Sequence, residues 1–348
     1  MDSPLPNARL TVDTAALVAN WRAFARASGA ADCGAAIKAD GYGLGARAVA
    51  DALVAAGCRD LFVAHWHEVA ALGLFTAGVR VAVLHGAGPA EMPTALASSA
   101  VPVLVTAAQV AAWKPSCQPC DVMVDTGLNR LGLSPAEAMS GLLDGLALDT
   151  LHSHLACAES PGHPLNERQR GLFADLAARI PARRHALANS SGIGLGAGYC
   201  FGLTRPGIGL YGGGPAPDGS RLAQVAGLSA RILQLRTVAV GDTIGYGATF
   251  TAARPTRIAV VALGYADGYP RSLSNCGAAL VGGFRCPAVG RVSMDLAAFD
   301  ITDADPGALA EDDWLDIDFD LAATSAASGR TEYELLTGLG ARYARLYK

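Results

Sequence analysis

Ala35-Ala36-Ile37-Lys38-Ala39-Asp40-Gly41-Tyr42-Gly43-Leu44-Gly45 is the stretch on which the reading of the fold turns. Gly34 to Ile37 is a short apolar run that reads as a buried strand, and it ends on a lysine. Three glycines punctuate the turn that follows, and Leu44, Val49 and Leu53 then recur on a helical face that stops at Gly57. A lysine at the mouth of a strand, walled by apolar residues, sits where burial lowers its pKa toward a nucleophilic free amine. Such a lysine serves Schiff-base chemistry, with pyridoxal phosphate or with a carbonyl substrate. A lysine that snorkels at a strand end has the same local sequence.

The same strand–turn–helix unit recurs. Apolar, β-branched runs fall at 34–38, 60–65, 79–85, 101–105, 120–125, 148–155, 184–188 and 202–208. Helix signals lie around them. Asp13 reads as an N-cap before Leu17, Trp21 and Phe24, and Thr106 to Gln109 and Ser134-Pro135-Ala136-Glu137 have capping-box spacing. Asn166 to Gln169 opens a further helix that Pro181 ends. Eight strands alternating with helices predict an α/β fold, a closed (β/α)8 barrel of the TIM type. An open doubly wound sheet is the competitor, but it wants G-x-G-x-x-G after the first strand, and Gly41-Tyr42-Gly43-Leu44-Gly45 has the wrong spacing. Beyond about residue 225 the texture changes to short β-rich runs separated by Gly, Asp and Pro turns, so the expected domains are a barrel over 1–225 and an all-β domain over 226–348.

Active sites of such barrels collect at the C-terminal ends of the strands. Reading off those ends gives Lys38, Asp125 with Arg130, His154, Asn189-Ser190 and Arg205-Pro206-Gly207, all reactive or anion-binding types. Asn189 to Gly192 begins a helical turn whose free N–H groups suit a phosphate, and Gly207 permits close backbone approach to it. Capping alone also accounts for Ser190. In the β domain, Tyr246, Tyr265 and Tyr269 lie in glycine-rich settings and Tyr333 in a tail motif, Glu332-Tyr333-Glu334; such tyrosines are exposed turn residues or bring a phenol to a ligand. His65 and His85 reach the barrel rim, to touch a ligand or simply to pack.

Composition narrows the classes. Charged residues are 17% of the chain, apolar residues 51%, and the net charge of -4 comes with no long basic run, so neither a nucleic-acid partner nor a membrane surface is expected. No apolar run approaches a membrane span, and Met1 to Arg9, with Asp2 and two prolines, does not read as an export signal. The eight cysteines then point to reduced thiols in the cytoplasm, and the lone Cys117-Gln118-Pro119-Cys120 is a weak zinc or redox signal. His65-Trp66-His67 and His152-Ser153-His154 each set two imidazoles on one face of a strand, but no carboxylate or cysteine completes a set, so no metal site is expected.

With these residues in view, the sequence resembles the alanine racemase family along nearly its whole length. Ile37 to Gly43 looks like that family's pyridoxal phosphate–lysine signature, and Val124 to Gly132 its loop bearing the substrate-side arginine. Ser153-His154-Leu155-Ala156 resembles its strand-six histidine segment, and Ala188-Asn189-Ser190 and Arg205-Pro206-Gly207-Ile208 its phosphate and pyridine-nitrogen elements. Gly245 to Thr249 is similar to the second-base motif, and Gly264 to Gly268 and Gly290 to Asp295 to the substrate-entry and carboxylate-binding loops.

The resemblance implies a pyridoxal phosphate enzyme that interconverts L- and D-alanine with two bases, Lys38 and Tyr246, on opposite faces of the substrate. It implies cofactor contacts from Tyr42, His154, Asn189, Ser190, Arg205, Gly207, Ile208 and Tyr333, and substrate contacts from Arg130, Met294 and Tyr265. Arg205 would face the pyridine nitrogen and hold His154, which in turn would stabilise the Tyr246 phenolate. The family also implies a homodimer whose β domains cover each other's barrel mouths. The sequence departs from the pattern at Met123, where many members carry a carboxylated lysine, so Arg130 needs another partner or none. A racemase of serine or of wider specificity, a decarboxylase of basic amino acids and a non-catalytic cofactor-binding barrel are the rivals. Arg205 argues against the second, and the β domain with Tyr246 and Met294 against the third.

Overall fold

The computed structural model describes residues 6–73, 78–305 and 307–348, so Met1 to Leu5 of the N-terminal stretch read above lie outside the described residues. The chain divides into two compact units. One comprises Leu17–Gly41 and Ala46–Ala223; the other comprises Met1–Ala16, Tyr42–Gly45 and Gln224–Lys348.

The first unit is the barrel. Each of the eight apolar runs overlaps a strand: β1 (Ala35–Ala36), β2 (Asp60–Val63), β3 (Arg80–Val83), β4 (Val101–Leu104), β5 (Pro119–Met123), β6 (Ala147–His152), β7 (Arg184–Ala186) and β8 (Leu203–Thr204). β1 to β7 pair in parallel in chain order. The segment around β8 closes the ring. Gly34 N donates to Thr204 O at 3.0 Å and Ala36 N to Pro206 O at 2.9 Å, while on the other side Gly202 N donates to His185 O at 3.0 Å and Arg205 N to Ala188 O at 2.9 Å. Pro206 has no N–H with which to extend the ladder, which keeps β8 short. Buried Leu61, Phe62, Val83, Val103, Leu104 and Val122 give the strands their apolar packing.

The strand N-termini are charged. Asp60, Arg80 and Arg184 open β2, β3 and β7, and Arg184 grips Asp60 through two hydrogen bonds of 2.6 and 2.8 Å. Around the barrel, Ser134 and Glu137 form the expected capping box. The helix expected from Asn166 begins earlier, at Pro164, capped by His163. Asn166 and Gln169 are instead buried polar side chains, because both face the segment that follows β6.

The second unit is built on a sheet whose longest strand, Ala226–Val238, has a register shift between Ile232 and Gln234. Its first half pairs with Ala8–Val12 and Trp314–Ile317, and its second half with Thr256–Val261. Ala8–Val12 pairs in parallel with Tyr343–Tyr347 on its other side. Two short helices, Leu321–Ser328 and Glu332–Thr337, interrupt the β pattern. Among the described residues, no helix is long and apolar enough to cross a membrane.

Candidate active site

Lys38 follows β1, and the backbone after it is unusual. Ala39, Asp40, Gly41 and Tyr42 have φ of 54°, 54°, 62° and 55°, a left-handed turn that only Gly41 adopts without cost. For a residue with a Cβ that conformation costs roughly 1–2 kcal/mol. The turn is held from several sides: Ala39 N donates to Glu68 Oε1, Ala46 N to Asp40 Oδ1 at 2.8 Å, and Gly41 N to Ile37 O at 2.8 Å. Local strain maintained by its surroundings is typical of functional sites. Burial lowers the Lys38 amine below its ordinary pKa, the Arg130 charge adds to the effect, and Glu68 opposes it. The neutral amine is thereby favoured, as a nucleophile requires.

Arg130 lies on the loop after β5. Asp125 organises that loop by accepting the backbone N–H groups of Gly127 (2.7 Å), Leu128 (2.9 Å) and Arg130 (3.1 Å). Partial burial works against the Asp125 carboxylate, but these backbone donors hold its pKa below the usual range. Asp125 is therefore a loop anchor. Met123 is buried beneath the loop, and among the described residues the Arg130 guanidinium has neither a hydrogen bond nor an ion pair. Its charge nevertheless reaches Lys38 and His154.

His154 stands just past β6. Gln169 clamps this segment, with Nε2 donating to the His154 carbonyl at 2.9 Å and Oε1 accepting from Ala156 N at 2.9 Å. The protein packed around its imidazole pushes its pKa down to about 3, and the cations Arg205, Arg130 and Lys38 add to the shift. The expected hydrogen bond from Arg205 to His154 is not what the structure shows. Buried Arg205 donates from Nη1 to His152 Nδ1 at 2.7 Å and to Ala186 O at 3.0 Å, and from Nη2 to Ser153 O at 2.7 Å. These acceptors lie within β6, β7 and the residue that follows β6, so they engage the guanidinium before it reaches His154. Burial brings the Arg205 pKa down to about 10, which leaves it a cation at neutral pH.

Ser190 and Gly207 meet after β7 and β8. Ser190 Oγ accepts Gly207 N at 2.9 Å and Gly209 N at 3.2 Å. Both hydroxyl lone pairs are thereby used, and its proton remains to be donated. Gly209 has to be glycine, since a Cβ there would stand 2.3 Å from the ring of buried Phe24. Asn189 caps the helix Ser190–Gly194, its Oδ1 accepting Gly192 N at 2.9 Å. Ile208 begins the short turn that follows Gly207. A hydroxyl donor, a buried cation with spare N–H groups and an amine biased toward neutrality fit the phosphate, ring nitrogen and aldehyde of pyridoxal phosphate.

The second unit carries the other expected residues. The Tyr42 and Tyr333 rings approach to 6.2 Å between centroids, and burial raises the Tyr42 phenol above its usual value. Tyr265 N donates to Ser293 O and Ala266 N to Met294 O, both at 3.0 Å, so the Tyr265 and Met294 loops are stitched together. Gly264 allows this, because a Cβ there would meet the Met294 carbonyl at 2.2 Å. Tyr246, on a turn flanked by Gly245 and Gly247, is 73% exposed, and Met294 is 53% exposed.

His65 and His85 stack edge-on with centroids 4.4 Å apart. Glu68 was missed in the sequence, although His65-x-x-Glu68 has capping-box spacing directly after β2. Asp121 was missed too: His152 does meet a carboxylate, Asp121 Oδ2 at 2.8 Å, in a hydrogen-bonded pair.

Residues 12–215 match the family model described as alanine racemase, N-terminal domain, and residues 225–347 the one described as alanine racemase, C-terminal domain. An alanine racemase of Methylobacterium nodulans is 43% identical, over 98% of this chain and 96% of its own length. One of Rhodospirillum rubrum is 45% identical over the same shares. Among solved structures, the alanine racemase from Bartonella henselae with covalently bound pyridoxal phosphate superposes with a TM-score of 0.90 at 35% identity, covering 99% of this chain and 100% of that one.

Proposed function

The chain belongs to the alanine racemase family, and from that premise we propose how its residues divide the work. It is a pyridoxal phosphate-dependent isomerase of L- and D-alanine. Bound, the cofactor supplies an electron sink for negative charge at the substrate Cα. Lys38 holds it and moves the Cα proton at Nζ on one face of the substrate. Ser190 would donate its free hydroxyl proton to the phosphate, with Asn189, Gly207 and Ile208 beside it, and the family resemblance assigns Tyr42 and Tyr333 to the same group. Arg205 would face the ring nitrogen, and a guanidinium that keeps its proton would leave that nitrogen unprotonated.

Proton removal and return on different sides require a second proton-handling group. Tyr246 is that group, its phenolate stabilised from His154. Arg130 and Met294 hold the substrate carboxylate, Tyr265 lines the entry, and Tyr333 narrows the space beside Cα in favour of a methyl. We place the enzyme in the cytoplasm; its eight cysteines are free thiols, as a reducing compartment maintains them.

The observation that carries this division is the exposure of Tyr246, 73% in its own chain. A base that works in a water-excluded site has to be covered, and a two-fold homodimer would cover two such sites at once, each made of one chain's Lys38 and its partner's phenol. The test mixes two inactive variants, Lys38→Ala and Tyr246→Phe, after dissociation. With random pairing half the dimers are mixed, and each has one intact site of two, so roughly a quarter of wild-type activity returns. If Tyr246 served the lysine of its own chain, mixing would restore nothing.

A further inference from the structure

Barrel interiors are filled mainly by branched apolar side chains, yet this one holds a carboxylate and an imidazole side by side. Asp121 on β5 and His152 on β6 are both completely buried. Asp121 Oδ1 accepts from Arg80 Nη2 and from Thr150 N at 3.0 Å, and Oδ2 lies 2.8 Å from His152 Nε2. An ionised carboxylate only accepts, so Nε2 carries the proton. Nδ1 then offers a lone pair, and it faces Arg205 Nη1 at 2.7 Å. A guanidinium only donates, so a doubly protonated imidazole could not occupy this place. Burial, reinforced by the Arg205 charge, holds the imidazole below its usual pKa against the pull of Asp121.

The ring has close neighbours on two sides. Ala186, the residue in register with His152 on β7, is small, and Phe62 packs against the imidazole edge-on at 6.0 Å and 87°. The Arg205 guanidinium lies 5.9 Å from the centroid of the same phenyl ring. Its hydrogen bonds can then be counted. Both Nη1 hydrogens go to His152 and Ala186 O, and one Nη2 hydrogen goes to Ser153 O. Nε–H and the second Nη2–H remain for a ligand.

We propose that Asp121 and His152 are positioning residues for Arg205: Asp121 sets the imidazole tautomer, and the imidazole orients the guanidinium so that its two remaining N–H groups address the cofactor ring nitrogen. The inference rests on the reading of Arg205 given above, and it adds what aims that side chain. Asp121→Asn preserves shape but not chemistry. The amide oxygen replaces Oδ1 toward Arg80 and Thr150 N, its NH2 then faces Nε2, and the histidine proton moves to Nδ1, donor against donor with Arg205.

The first test is direct and uses the cofactor-free protein. In 15N-histidine-labelled wild type at about pH 7, His152 is expected neutral with the proton on Nε2. A proton on Nδ1, or on both nitrogens, overturns the proposal whatever the variants do. In Asp121→Asn the proton is expected on Nδ1. The second test is kinetic. His152→Phe is expected to lower kcat about 10- to 100-fold with the alanine KM within about threefold, and His152→Asn, whose amide oxygen can stand near the Nδ1 position, to recover about tenfold. A folded His152→Phe enzyme with wild-type kcat, alongside an impaired Arg205→Leu enzyme, overturns the positioning role and leaves Arg205 its assignment. An unimpaired Arg205→Leu enzyme removes the assignment itself.

Discussion

Ser190→Ala separates two roles of one oxygen. In the cofactor-free protein Oγ is the acceptor for two buried backbone groups, Gly207 N at 2.9 Å and Gly209 N at 3.2 Å. Each buried N–H left without an acceptor costs about 1–3 kcal/mol. The second bond is the longer, and partial relaxation is available, so a loss of about 2–4 kcal/mol in stability is expected from the pair. The hydroxyl proton is a separate quantity. A hydrogen bond to a charged group is worth about 1.5–3 kcal/mol, which is roughly a 10- to 100-fold loss of cofactor affinity. Urea unfolding of the cofactor-free protein measures the first loss. Titration with pyridoxal phosphate measures the second, and it is done in a Lys38→Ala background so that the covalent link does not mask the phosphate contact. Unchanged affinity alongside lost stability would refute the phosphate role and leave only the brace. Lost affinity with no loss of stability would refute the accounting of the two N–H groups.

Two further outcomes follow from the same rim. The folded pKa of Lys38 lies below its ordinary value of 10.5, so between the two values the unfolded chain binds more protons and stability rises with pH. The penalty is absent above about 10.5, grows as pH falls toward the lowered folded value and is constant below it; unfolding of the cofactor-free protein across alkaline pH shows this rise, and Lys38→Met abolishes it. An equal slope in the variant would assign the rise to another group. Met123 is buried where the resemblance implies a carboxylated lysine in many family members, so racemisation is expected to be indifferent to removal of dissolved carbon dioxide; a dependent rate would mean that another lysine has taken that role.

The barrel was legible because its signals are local. Each strand is a short apolar run, each helix has its own cap or stop, and the fold places chemistry at the strand ends, so Lys38, Arg130, His154, Ser190 and Arg205 could be gathered before any contact was known. What was not legible depends on register or on distance along the chain. Ala8–Val12 joins Ala226–Val238 and Tyr343–Tyr347 from opposite ends of the sequence, and nothing local announces the pairing. Asp121, His152 and Arg205 sit on three different segments. Only the parallel registers that set Met123 beside His152 and His152 beside Ala186 bring them to one place inside the barrel. The left-handed turn was half legible: Gly41 advertises it, but Ala39, Asp40 and Tyr42 adopt it only because Glu68 and their own backbone contacts hold them there.

The proposed division of the two bases would have a physical cause. A barrel displays reactive side chains on one rim, and Lys38, Arg130, His154 and Arg205 are all supplied by segments following its strands. Such a rim would approach a bound flat cofactor from one side, whereas racemisation needs proton transfer on both. The second unit holds the proposed second base, Tyr246, with a different device. Gly245 and Gly247, at φ of 75° and 73°, fold a turn that few other residues would adopt, and Gly290 passes close to it, where a Cβ would stand 2.6 Å from Ile244 O. The result is a phenol held out on a short, backbone-braced turn and left in water by its own chain. The proposed homodimer would supply from a second copy the surface that covers this phenol, and the mixed pair of inactive variants, rather than either variant alone, tests that.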